Sequence, residues 1–327
     1  MESLAREPLA RPSFKLVCAL AAVAVAAIPI AAVLAQAPTS SFTVLETGRG
    51  FATLQQAVAA IGGGQGTVSI APGTYRECAV QEAGTVTYVA AQPGKTVFEK
   101  ATCEGKAALV LRGRAARISG IVFSGMAVPD LNGAGIRLEQ GDLTVAQSWF
   151  VDSQQGILTA DDPRGTIVID KSTFSGLGNC ENDAGCAHSV YVGDYGRVRV
   201  TRSRFERGTG GHYLKVRARM VEVAANSFDD SAGRATNYMI DLPEGATGQI
   251  TNNWFVQGAD KENHSAFIAV GAEDISHSSD GLQIAGNDAR LAPDIRRSSA
   301  FVADWTGEKL AIGPNALGVG LKPFEKR

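Results

Sequence analysis

The chain has 327 residues, 45% hydrophobic and 20% charged, with 37 glycines and only 7% aromatics. A formal charge of -2 and a pI near 6.1 argue against a generic nucleic-acid binder. Leu, Ile, Val and Phe recur throughout, which excludes a disordered tail, and abundant Gly favours short strands and tight turns over a helical bundle.

Residues 1–37 read as a signal peptide. Arg6, Arg11 and Lys15 precede an apolar run from Leu16 to Leu34, which ends in the small-residue site Ala35-Gln36-Ala37. The mature chain is expected to start at Pro38 and to be periplasmic or secreted, with no membrane association after cleavage. An uncleaved anchor is the rival reading, because the apolar run approaches spanning length. In the mature chain, FATLQQAVAAI (51–61) places Phe51, Leu54, Ala57, Val58 and Ile61 at helical spacing. GGGQGTVSIAPGTYRE (62–77) follows as a Gly-rich turn, a strand and a Pro-Gly turn. Four cysteines remain after the leader: Cys78, Cys103, Cys180 and Cys186. An even count behind an export signal predicts two disulfides, and their spacings are not those of metal knuckles. Cys180 and Cys186, enclosing ENDAG, are the local pair.

The second half of the chain is a repeat. LTVAQSWF (143–150), TIVIDKSTF (166–174), VRVTRSRF (198–205), VEVAANSF (221–228), GQITNNWF (248–255), LQIAGNDA (282–289) and LAIGPNAL (310–317) share one form. A β-branched residue is followed three positions later by Ser148, Ser172, Ser203, Asn226, Asn253, Asn287 or Asn315, at intervals of 24, 31, 23, 27, 34 and 28 residues. The long intervals look like loop insertions. Ile118–Phe123 is a degenerate earlier copy with Ile121 in the polar slot. Each interval holds two or three short strands, so each is one coil of a parallel β-helix. The polar column bonds between coils at a repeated bend, and the Val/Ile and Phe columns fill the interior. Trp149 and Trp254, in the repeated aromatic region, are assigned to packing. The predicted fold is all-β: a single-stranded parallel β-helix (solenoid) over 38–327, with coils at about 66–317 and the short helix capping its open N-terminal end.

Helix, strand and PGTY-type turn, followed by these coils, resemble the right-handed parallel β-helix superfamily of pectate-lyase-like proteins over about 42–317. Cys78 and Cys103 lie 25 residues apart, about one coil, so they can face each other in stacked positions.

Aligning the coils on the Ser/Asn column brings GIRLEQ (135–140), GILTAD (156–161), SVYVGD (189–194), YLKVRA (213–218), YMIDLP (238–243) and FIAVGA (267–272) into register. Alternation then turns Ile136, Val190, Val192, Leu214, Val216, Met239 and Ile268 inward, with Arg137, Tyr191, Lys215, Ile240 and Ala269 in one outward column. Glu139, Gly193, Arg217 and Leu242 form the next. His188 and His212 precede the strand in adjacent coils. Between Arg197 and Arg219 stand eight basic residues (Arg197, Arg199, Arg202, Arg204, Arg207, Lys215, Arg217 and Arg219) against Glu206 alone, a concentration that calls for an anionic partner. The 180–186 loop is positioned to wall such a groove.

The resemblance implies an acidic, uronate-containing polysaccharide as partner and β-elimination as chemistry. On that reading Lys215 is the base, Arg217 the carboxylate clamp, and Tyr191 or His212 the proton donor beside His188. Arg137, Arg197, Arg199, Arg219 and Tyr213 contact substrate, and Asp241 orients Arg217 or His212. Non-catalytic glycan binding or exopolysaccharide assembly is the alternative; epimerase and hydrolase are further ones. The DPHD signature of alginate epimerases is absent, and the aspartates do not align as the paired carboxylates that hydrolysis requires. No cofactor and no metal site is expected: calcium serves some relatives, but Asp161, Asp162, Asp183, Asp194, Asp229 and Asp230 are scattered and suited to turns. A monomer that binds no nucleic acid is expected.

Overall fold

The computed structural model describes residues 40–181 and 185–327. The expected leader, 1–37, lies outside the described residues. The chain winds as a parallel β-solenoid of about nine turns, with a single helix among the described residues. Each coil passes through three parallel sheets of 12, 10 and 10 strands. Successive coils pair in register, as in Val145 with Ile169 on the first sheet and Phe150 with Phe174 on the second.

The bend between the first and second sheets explains the polar column. The residue before each ladder member adopts a left-handed conformation in Gln147, Lys171, Arg202, Ala225 and Asn252. This turns the chain sharply and leaves the next amide unpaired by the sheets. The ladder supplies its partner: the amide of Asn226 donates to Asn253 Oδ1 (2.9 Å), that of Asn253 to Asn287 Oδ1 (2.9 Å), and that of Asn287 to Asn315 Oδ1 (3.0 Å). The serine rungs extend it, with the Ser148 amide donating to Ser172 Oγ and the Ser172 amide to Ser203 Oγ. The Ile121 amide donates to Ser148 Oγ, so the degenerate copy begins the same ladder.

Inside, Phe98, Phe123, Phe150, Phe174, Phe205, Phe228 and Phe255 stack with centroids 4.7–6.0 Å apart, because the coil spacing is close to that of offset aromatic stacking. Trp149 and Trp254 are not part of that packing. Strand alternation turns them outward, and Trp254 is 36% exposed.

At the N-terminal end the helix spans Leu54–Ile61, with Thr53 Oγ1 accepting from the Gln56 amide, and buries Leu54, Ala57 and Val58. Phe51 belongs instead to a hairpin, Phe42–Val44 with Arg49–Phe51, which pairs antiparallel with the first long strand and closes that sheet edge. At the other end the strands continue past Leu317 to Leu321–Lys326. Cys78–Cys103 and Cys180–Cys186 are disulfides, which suits an oxidising, extracellular environment. Among the described residues no helix is long and apolar enough to cross a membrane.

Candidate functional site

The outer face of the third sheet carries the densest set of reactive side chains. Its register stacks Arg137, Leu158, Tyr191, Lys215, Asp241 and Ala269 in one column. Asp241, not Ile240, therefore stands beside Lys215. Three residues separate Thr236 from Ile240, where two separate Gly211 from Leu214, and both ends of the two segments are paired. That one extra residue turns Ile240 and Leu242 inward, since a slip of one residue exchanges the faces of a strand.

Tyr191 Oη accepts from Arg217 Nε at 2.8 Å, and the guanidinium lies over the ring. Arg217 also donates to Glu244 (2.5 Å) and to Glu273 (2.6 Å). Lys215 Nζ donates to the other oxygen of Glu273 at 2.5 Å and lies 3.3 Å from Asp241 Oδ2. The neighbours of Lys215 are thus two carboxylates as well as Arg217. Asp241 is buried, and desolvation raises its pKa to about 6 even though the Lys215 charge opposes the shift. Burial also works against ionisation of Glu273, but hydrogen bonds from Lys215 and Arg217 outweigh it and hold its pKa below the usual value. The two carboxyls therefore differ in character within about 6 Å, the span set by their shared lysine.

His188 and His212 lie side by side, 4.9 Å between centroids, and the His212 amide donates to His188 Nδ1 at 3.0 Å. Gly211, at φ 59°, permits this approach: a Cβ there would fall 2.6 Å from His188 Nδ1. Burial pushes the His188 pKa down to about 3, and burial also drives His212 well below its ordinary value. Both rings are therefore neutral at pH 7, so His212 is no imidazolium proton donor. Its Nε2 lies 3.4 Å from Asp241 Oδ2, while His212 Nδ1 and Asp241 Oδ1 are buried without hydrogen-bond partners. Unsatisfied polar atoms of this kind are uncommon in structural cores.

Several expected members lie elsewhere. Tyr213 points into the solenoid, where its hydroxyl donates to Asp230 Oδ1 (2.7 Å) and Asp230 pairs with the buried Lys261 (3.2 Å). Arg197 and Arg199 are on the outer face of the first sheet, and Arg199 pairs with Glu222. Arg219 donates to the Pro163 carbonyl. Arg137 shares the column but stands two rungs from Tyr191, with its Nε buried without a hydrogen bond and 3.9 Å from Glu139 Oε1.

The basic run 197–219 is consequently not one patch. A coil passes all three faces in about 25 residues, so neighbours in sequence point in different directions. Arg202, Arg204 and Arg207 pair with Asp170, Glu206 and Asp152. Cys180 lies near the histidines, with the Gly211 amide donating to its Sγ; Asn182, Asp183 and Ala184, in the loop expected to wall the groove, lie outside the described residues.

Glu244 and Glu273 were absent from the sequence reading, because both follow a strand end, where periodicity gives no register. The one available signal was the 34-residue interval between Asn253 and Asn287, the longest of the series. That coil carries the irregular segment 271–281, to which Glu273 belongs. Among the described residues, Cys180, Cys186 and Glu262 are the one group within metal-binding distance, and the two sulfurs are bonded to each other. Asp161 and Asp162 accept backbone amides of Asp194 and Gly141.

No family model matches the sequence, and no curated protein does. Among solved structures, ORF18 of Geobacillus virus E2 is similar over 83% of this chain and 55% of its own, at 15% identity and a TM-score of 0.47. The chain thus spans about half the length of that structure. Similarity at this level carries no functional implication.

Proposed function

We propose that this is an exported solenoid that acts on an acidic, uronate-containing polysaccharide at the third-sheet strip, by β-elimination. The observation that supports this most is the company of Lys215 and Arg217. Two cations able to neutralise one carboxylate stand beside a tyrosine hydroxyl and a carboxyl whose pKa lies near neutrality.

In this reading Lys215 and Arg217 draw charge from the uronate carboxylate and acidify its C5 proton. Asp241, ionised above pH 6, is better suited than the ion-paired Lys215 to take that proton. The C5–H electron pair forms the C4–C5 double bond, the C4–O bond breaks, and the departing oxygen takes a proton from Tyr191. Arg217 orients that hydroxyl. A non-catalytic glycan-binding protein is the second reading, favoured by the intramolecular partners of Lys215 and Arg217.

The experiment is a screen of the protein from Pro38 onward against uronate-containing glycans, following ultraviolet absorbance of the conjugated product. Elimination predicts a rise that Tyr191→Phe and Asp241→Asn each suppress. No rise on any glycan, with salt-sensitive retention on an acidic-glycan column, would replace it with the binding reading.

A further inference from the structure

Glu273 is the exposed member of an otherwise enclosed cluster. Its side chain is 42% accessible, against 9% for Lys215, 20% for Arg217 and 3% for Asp241. One oxygen receives Lys215 Nζ and the other receives Arg217 Nη2, so a single carboxylate bridges both cations. Glu244 is different: it is 18% accessible and holds only the remaining Arg217 Nη1.

The backbone that carries Glu273 is tied down independently of its side chain. The Gly271 amide donates to the Leu242 carbonyl, the Glu273 amide to Pro243, and the Ser276 and His277 amides to Glu244. Glu273 can therefore swing off the cations by side-chain rotation with these backbone bonds intact. The cost is two charge-assisted hydrogen bonds, which an incoming carboxylate would remake.

We infer that Glu273 is a built-in, exchangeable plug: its carboxylate occupies the place at Lys215 and Arg217 that a ligand carboxylate takes when the side chain swings out. The inference rests on the acidic-glycan reading of this strip and adds to it a self-blocking group. The plug sets a specificity threshold, because a neutral sugar offers nothing to replace the two bonds it must break. A uronate replaces both. Asp241 alone leaves Arg217 without a bridging anion, and the Glu273 plug keeps both cations paired in the resting protein.

The test is calorimetric titration of purified oligogalacturonate and oligoglucuronate, with a neutral glucan of similar length as control, into the wild type, Glu273→Ala and Glu273→Gln. The plug predicts at least tenfold tighter uronate binding in Glu273→Ala, an intermediate gain in Glu273→Gln, and no gain for the neutral glucan. Glu273 is exposed, so both variants are expected to keep the wild-type melting temperature within a few degrees. Equal uronate affinity in wild type and Glu273→Ala would overturn the plug and leave the acidic-glycan site standing. Absence of uronate binding in all three folded proteins would overturn both.

Discussion

Replacing Asn253 by Ala cuts the ladder at its middle, and the loss can be worked from its bonds. Asn253 Oδ1 accepts from the Asn226 amide (2.9 Å) and from Asn226 Nδ2 (3.0 Å), and its Nδ2 donates to the Val223 carbonyl (2.8 Å) and Asn287 Oδ1 (3.0 Å). Asn287 Oδ1 keeps the Asn253 amide, so three buried groups lose a partner: the Asn226 amide, one Asn226 Nδ2 hydrogen and the Val223 carbonyl. Val223 stands in a central strand whose ladder still serves its carbonyl, so two donors are left unsatisfied. At about 1–3 kcal/mol for each, the variant should lose about 4 kcal/mol, with about 2 a lower bound. Asn315→Ala removes the equivalent bonds at the half-buried last rung, where water can replace them, and should lose about 1 kcal/mol. Urea unfolding followed by both fluorescence and circular dichroism measures each loss. A loss below about 1 kcal/mol for Asn253→Ala, or equal losses for the two variants, would refute the ladder as a determinant of stability.

Tyr191→Phe removes the hydroxyl that Arg217 orients and should lower the elimination rate by about 10²- to 10⁴-fold while changing uronate affinity little, which steady-state kinetics on oligouronates would reveal. Replacing both Cys78 and Cys103 by Ser opens a 25-residue loop and should lower stability by about 3 kcal/mol, read from the urea midpoint. His188 binds its proton more weakly folded than unfolded, so the unfolded chain takes up more protons between pH 6.5 and about 3 and stability should fall with pH across that window. Asp241 acts in the opposite sense, adding stability at low pH that is lost as pH rises through about 6, but the larger shift of His188, from 6.5 to about 3, outweighs it. His188→Asn keeps an acceptor for the His212 amide and should flatten the fall; thermal melts from pH 4 to 7 would show whether the slope changes.

The coils were legible because their constraint recurs. A left-handed bend needs the same acceptor each time, so Ser or Asn returns in phase with Val, Ile and Phe. The His188–His212 pair and the Tyr191–Lys215 column followed from the same register. Legibility failed where recurrence fails. The extra residue between Thr236 and Ile240 shifted the third-sheet phase by one, which put Ile240 in the outward column where Asp241 stands beside Lys215. Glu273 sits in a segment without strand periodicity. The basic run misled for a geometric reason: charge density along a solenoid chain is spread over three faces, and most of these cations meet carboxylates presented by other coils.

The most direct test of the account is hydrogen exchange of the protein from Pro38 onward with and without saturating oligouronate. The account predicts slowed exchange confined to Val190–Val192, Leu214–Arg217, Ile240–Glu244 and Gly271–His277, the segments that surround the strip. Protection on the first sheet around Arg197 and Arg199 instead, or no protection anywhere with a bound uronate, would contradict it.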